Sequence, residues 1–379
     1  MTILLGLILA LVPSYLLRFT IFGIPTTVLE ILLVVFLLLT VARFRIKDLG
    51  KLKNLGKLNY AIALFVLAGI AAVIISPEPL KALGQLKAFI IEPVLFFYAI
   101  LLTVKDQQSM VRVLRWLFAG AIIISMFGLI QYLTNLGLPL RFWGSGLEPK
   151  RLTSFFEYPN ALALYLGPLV VFFFALFLKK FYFINRHSLL AGLVIITAAL
   201  ILTYSRGAWI AVILAVLILL FKTYSAKKAV SLAIVIVLAG LLLSPIRSRL
   251  TLTDASSLAH RDLWQISMDK IVQSPIFGNG LYGFRDTLQK AHFQGEILNY
   301  PHNIILNFWL ETGLLGLLSF FAVIYLSLAQ YKKSPAALKL GAALALVAIL
   351  LHGLVDVPYF KNDLAVLFWF ILSLFFIEN

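Results

Sequence analysis

The residues with most chemistry to offer in this chain are one histidine and a set of arginines. His302 stands beside Asn303 where a hydrophilic stretch gives way to a long apolar run. An imidazole at such an entrance titrates near neutral pH and can take a proton as a general base. Arg151 and Arg206 flank apolar runs, and Arg261 lies inside the hydrophilic stretch. A guanidinium is a planar fork that grips phosphate through two parallel hydrogen bonds, where lysine acts as a point charge. Several such forks at the ends of apolar runs suggest capture of a phosphorylated group at a membrane surface. A single arginine also has the plainer reading of snorkelling toward lipid phosphate or pairing with Asp254 or Asp262.

Local patterns support these residues. Arg151-Leu-Thr-Ser-Phe-Phe-Glu-Tyr-Pro-Asn160 enters an apolar run, with Pro159 suited to a helix start and Asn160 polar just inside it. Arginine and helix amino terminus would then converge on an anion. Thr203-Tyr-Ser-Arg-Gly207 is a turn too short to wander, which pins Arg206. In Arg261-Asp-Leu-Trp-Gln-Ile-Ser-Met-Asp-Lys-Ile-Val272, the residues Trp264, Met268, Ile271 and Val272 fall on one helical face, as in a helix lying along a membrane surface. The glycine-rich Pro275–Gly283 turn that follows has the composition of a phosphate cradle but no strand before it. Arg247 and Arg249 form an Arg-x-Arg pair at a run end, equally suited to anchoring. His352 and Asp356 share an i,i+4 spacing and rank, with Asn160 and Asn303, as supporting residues. Asn303 and Asn307 are polar groups suited to aligning a substrate. Glu30 and Glu92 fall inside apolar runs, where a carboxylate needs a partner.

The elements that must position these residues are membrane helices. The chain is 62% hydrophobic and 13% charged, far outside the soluble range, with mean hydropathy +1.00. Apolar runs near the ~20 residues that cross a hydrocarbon core recur along its length. They give about twelve spans: 2–17, 26–42, 59–76, 84–104, 112–135, 157–178, 188–204, 207–221, 228–244, 303–329, 338–354 and 362–377. The runs are continuously apolar, which excludes a strand barrel. The expected fold is all-α, a polytopic transmembrane helical bundle forming one integral membrane domain over 1–379, with one larger extracytoplasmic loop at 245–302 that contains the amphipathic helix. No cysteine is present, so disulfides and thiolate sites are excluded, and no Asp-x-Asp or histidine–carboxylate cluster offers a metal site. No cofactor is expected.

Alternate loops carry lysine-rich clusters around Lys51, Lys105, Lys179, Lys227 and Lys332. By the positive-inside rule these loops and both termini are cytoplasmic. The opposite loops hold Arg18, Arg141, Arg151, Arg206, Arg247, Arg249, Arg261 and Arg285, so arginine gathers outside against the sorting rule. The net charge of +16 is largely accounted for by the cytoplasmic loops, which leaves nucleic-acid binding a poor reading.

The order Arg-x-Thr-Ser-x-Phe-x-x-Pro-Asn, Thr-Tyr-Ser-Arg-Gly-Ala-Trp, Arg-x-x-Leu-Trp with Pro-x-x-Gly-x-Gly, then Pro-His-Asn-x-x-Leu with Glu-x-Gly-x-x-Gly resembles the O-antigen ligase family, which shares a superfamily with Wzy-type polymerases. The resemblance runs from about Pro13 to Asp356. It implies a plasma (inner) membrane glycosyltransferase of lipopolysaccharide or polysaccharide biosynthesis, working without a metal ion. Its donor would be a glycan on polyprenyl (undecaprenyl) diphosphate. Its acceptor would be a hydroxyl of lipid A-core, another glycan or a further molecule on the outer face. The mechanism expected on these residues has Arg206 and Arg261, with Arg151 in third place, holding the diphosphate while His302 takes the acceptor's proton as catalytic base and the product is inverted. A Wzy-like polymerase using the same donor is the close alternative. A lipid flippase or transporter is a remoter one, since no internal repeat or pair of broken spans is visible.

Overall fold

A computed structural model describes residues 1–21, 23–45, 49–144, 149–232, 234, 255–293, 296–333 and 336–377. Arg247, Arg249, Asp254 and most of the run 228–244 lie outside them. In chain order the helices are α1 (Thr2–Ala10), α2 (Val28–Arg43), α3 (Leu49–Lys53), α4 (Lys57–Ile75), α5 (Pro79–Thr103), α6 (Gln107–Thr134), α7 (Pro159–Leu178), α8 (Arg186–Leu202), α9 (Arg206–Thr223), α10 (Ala255–Gln273), α11 (Gly283–Lys290), α12 (Ile304–Lys333), α13 (Ala337–Gly353) and α14 (Asn362–Ser373). A short antiparallel hairpin, β1 (Arg18–Ile21) and β2 (Ile24–Thr27), precedes α2.

The fold is nearly all helical, as expected, but the count of twelve full spans is not reproduced. Among the described residues six helices are long and apolar enough to cross a membrane: α4, α5, α6, α7, α9 and α12. The runs at 188–204, 338–354 and 362–377 form the shorter α8, α13 and α14. The run 26–42 gives α2, and 2–17 divides into α1 and a 3-10 turn at Val12–Leu16.

The chain divides into two compact units. One comprises Met1–Met110, Ala255–Pro335 and Gly353–Asn379, and the other Val111–Asp254 and Ala336–His352.

In the first unit α4 packs along α12, and an aromatic core joins Phe65, Phe308, Phe320, Tyr359, Phe368 and Trp369. Tyr359 is fully buried, and its hydroxyl is satisfied twice: it accepts from Trp369 Nε1 at 3.0 Å and donates to the carbonyl of Phe89 at 2.7 Å. That carbonyl is free for a simple reason. Pro93 has no N–H to return to the residue four places earlier, and α5 widens into a π-helical turn over Leu86–Ile91. Glu30, expected inside a span, lies in the first turn of α2 instead. It forms a reciprocal capping box with Thr27, accepts from Thr26 and Asn362, and pairs with Lys87 at 3.2 Å. Glu92 is buried, and its Oε2 has no hydrogen-bond partner among the described residues.

In the second unit α7 is apolar on all sides and almost wholly buried, which marks a central helix. Helices α8 and α9 pack against it, and Phe118, Phe172, Phe173 and Phe183 form its aromatic contacts.

Candidate functional site

The second unit builds its cluster around Arg151. Gln131, on an otherwise apolar stretch of α6, accepts from the backbone N–H of Ser154 (2.9 Å) and from Thr153 Oγ1 (3.1 Å), and donates to the carbonyls of Ser154 and Gly137. Ser154 has φ 55°, and its hydroxyl donates to the carbonyl of Ile124. This network holds the Arg-x-Thr-Ser segment in one shape. Arg151 then donates through Nε to the carbonyl of Thr203 at 2.9 Å and through Nη2 to Asn160 Oδ1 at 2.8 Å. The backbone N–H of Leu152 donates to the carbonyl of Leu202. Two motifs some fifty residues apart in the chain are thereby sewn together.

Pro159 is the first residue of α7, as its position predicted, and that helix start has no side-chain cap. Asn160 therefore serves Arg151. Arg206 is the first residue of α9, after Ser205. A cation at the amino terminus of a helix opposes the helix dipole, so helix stability does not explain it there. An anion at that point would be favoured by both. Arg141 has the plainer role: it lies over the rings of Phe142 (4.8 Å) and Tyr158 (4.5 Å) and donates to the carbonyl of Glu157.

The first unit places His302 on a corner. Its φ of 50° is left-handed, uncommon for a residue with a Cβ. Behind it Asn303 Oδ1 caps α12 by accepting from the N–H groups of Ile305 and Leu306, while Nδ2 donates to the carbonyl of Leu354. The Asn303 amide is thus engaged in shaping the corner. His302 Nδ1 lies 3.0 Å from Asp356 Oδ1, which also accepts from the N–H of Val357. Asp356 is buried, and the imidazole side chain is 28% exposed. Burial lowers the proton affinity of His302, but the hydrogen bond and charge of Asp356 outweigh it, so the net pKa is raised. Lys361 opposes the rise and Glu296 adds to it. With Nδ1–H donating to the carboxylate, Nε2 carries the free lone pair.

His352 and Asp356, singled out for their i,i+4 spacing, lie at and just beyond the end of a helix. Helix α13 stops at Gly353, so Asp356 lies in the following turn, beyond the helical register, and its carboxylate goes to His302.

Helix α10 forms as expected, and it also buries one side against the protein. Leu263, Ser267 and Ile271 point inward against Phe284, Leu288 and Leu310, whereas Met268 and Val272 are exposed. Arg261 is exposed, and its neighbour His260, which sequence reasoning passed over, stacks on His302 with ring centroids 5.1 Å apart and planes at 25°.

The glycine-rich turn is structural. Gly313 has φ 67° and ψ −176°, which breaks α12 and opens the hydrogen bond that would join Leu314 N–H to the Leu310 carbonyl. Each half finds a partner in the turn: Leu314 N–H donates to the carbonyl of Ile276 (2.9 Å), and the Leu310 carbonyl accepts from Asn279 N–H (2.6 Å). Glu311 Oε2 accepts from Tyr282 N–H, and Trp309 Nε1 donates to the carbonyl of Pro275. On the other side Leu281 N–H donates to the carbonyl of Ala72, and Ser76 returns a bond to Leu281. A Cβ at Gly280 would fall 2.6 Å from the Ala72 oxygen, so only glycine permits this approach. The turn is a wedge between α4 and the broken α12, and the phosphate-cradle reading is set aside. Asn307, expected to help align a substrate, is fully buried, and neither of its amide atoms has a hydrogen-bond partner among the described residues.

Apolar helices of crossing length, one of them broken and repaired by its own loop, and clusters of arginine and histidine at helix ends define a multi-pass membrane protein with an ionisable site. The family model described as O-antigen ligase matches residues 191–321, a segment that includes Arg206, Arg261, His302 and the Gly313 break. The chain is similar to an O-antigen ligase of Pseudomonas aeruginosa, at 28% identity over 253 residues, 64% of this chain and 58% of that protein. It is also similar to an uncharacterized protein of Haemophilus influenzae, at 24% identity over 240 residues, 54% of this chain and 60% of that protein. These matches bear out the resemblance carried by the motifs and support membership of the O-antigen ligase family. The chain spans about three fifths of the length of these curated relatives.

Proposed function

We propose that the protein is an O-antigen-ligase-like glycosyltransferase of the plasma membrane. It moves a glycan from a polyprenyl diphosphate to an acceptor hydroxyl on the outer face, with both termini inside. The observation that carries the reading is the pairing of His302 with buried Asp356 on a left-handed corner. Backbone strain of this kind persists where surrounding structure holds it, and it clusters at active sites.

Asp356 fixes the imidazole with Nδ1–H toward the carboxylate, so Nε2 accepts the proton of the attacking hydroxyl. The acceptor oxygen forms a bond to the anomeric carbon as the carbon–oxygen bond to the diphosphate breaks on the opposite side, which inverts the configuration. The departing polyprenyl diphosphate gathers negative charge. Arg206 and Arg261 neutralise it in place of a metal ion. Arg151 donates to the Thr203 carbonyl and to Asn160, and it supports Arg206 by holding the Thr203 turn.

The test is purified full-length protein in liposomes with a polyprenyl-diphosphate glycan and a panel of acceptors. New glycosidic bonds support a transferase, and extension of a second lipid-linked glycan would make it a polymerase. Movement of unchanged lipid without bond formation would reject the reading in favour of a flippase.

A further inference from the structure

His302 is held at two places. Its edge is fixed by Asp356, and its face is covered by His260 at 5.1 Å. Helix α10 carries His260 and Trp264 one turn apart, on the same side, and their rings lie 6.3 Å apart at 16°. The three rings form a column of Trp264, His260 and His302, with spacings in the range of offset aromatic stacking.

The middle ring of this column is itself titratable, and that separates it from ordinary packing. A neutral imidazole face over His302 favours the imidazolium that forms when His302 takes a proton. A protonated His260 instead places a like charge about 5 Å from it, and the second proton is resisted. The other charged groups bearing on His302 are Asp356 and Lys361 after α13 and Glu296 before Pro301; next to His260 along α10 stand Arg261 and Asp262.

We propose that His260 is a positioning residue that fixes the plane of the His302 ring and makes the proton affinity of His302 depend on its own protonation state. The pair then titrates as a unit, and His260 determines how far into acid the base stays free. The inference rests on the proposed role of His302, but the coupling is measurable without substrate.

The experiment follows the imidazole signals of the five histidines by nuclear magnetic resonance in full-length protein in nanodiscs, assigned by single substitutions, across a pH series. In the native protein the His302 titration should be broadened by coupling. In His260→Phe, which keeps a stacked ring without a second charge, it should become a single-site curve shifted to higher pH. His260→Gln should also give a single-site curve. His260→Ala, which removes the ring lying over His302, should lose up to about a hundred-fold in kcat, the cost of a misaligned catalytic group. A His302 titration of the same shape and midpoint in the native, Phe and Gln proteins would overturn the proposal. A fully active His302→Gln protein, alongside the coupled titration in the native protein, would leave this inference standing and remove the base assignment instead.

Discussion

Gly313→Ala should unlock the junction between the glycine-rich turn and α12. At φ 67° and ψ −176° the residue occupies backbone space essentially reserved for glycine, where a side chain costs about 1–3 kcal/mol. The added Cβ would also lie 2.9 Å from the carbonyl carbon of Phe277 and still closer to the Ile276 oxygen, so the two strands of backbone must part. Parting them strains the Leu314-to-Ile276 and Asn279-to-Leu310 hydrogen bonds, each worth about 0.5–1.5 kcal/mol net and more when a buried donor is left unpaired. The total is about 2–6 kcal/mol, a large share of the ~5–15 kcal/mol stability of a typical protein. Gly84→Ala is the control: a Cβ there meets nothing within 4 Å, and in a helix alanine gains up to ~1 kcal/mol. Equilibrium unfolding of both variants in detergent micelles measures the difference. If Gly313→Ala unfolds within about 0.5 kcal/mol of Gly84→Ala, the wedge account is wrong.

Arg206→Lys should lower kcat/KM by about ten- to a hundred-fold because lysine keeps the charge and loses the fork, while Arg285→Lys stays within about two-fold; equal activities would favour membrane anchoring for both. Asp356→Asn removes the group that raises the proton affinity of His302. The imidazole then charges only in more acid solution, so the acid limb of the pH–rate profile moves to lower pH, while the plateau falls about a hundred-fold or more through loss of the tautomer. An acid limb that stays in place or moves up would refute that sign. For topology, a cysteine at exposed Gln265 should react with an impermeant thiol reagent in intact cells and one at exposed Lys53 should not. The reverse pattern would place the site on the wrong side.

Much of the site was legible because its residue types are rare in an apolar chain. Pro159 marked a helix start, and Arg151 with Asn160 was singled out and is joined by a hydrogen bond. Asp356 was singled out, but its contact with His302 was not, because the two stand 54 residues apart in the chain. Glu30 looked buried in a span until its capping box with Thr27 showed that the helix begins there. Periodicity placed α10, yet the inward stripe is 263, 267 and 271, since an apolar side chain beside a membrane need not face the protein core. Gly278, Gly280 and Gly313 carry the motif of a flexible turn, and only the opened Leu310–Leu314 bond explains why they occur together. His260 gave no local signal at all, since a ring stack across about forty residues of chain is a tertiary fact.

The central claim is that His302 accepts the proton of the acceptor hydroxyl, and His302→Gln tests it most directly in the reconstituted transfer assay. Glutamine preserves hydrogen bonding at the corner but has no useful basicity. The account predicts a folded protein that binds the polyprenyl-diphosphate donor with near-native affinity, transfers about a hundred- to ten-thousand-fold more slowly, and shows no acid limb in its residual activity. Near-native transfer by a well-folded His302→Gln protein would contradict it.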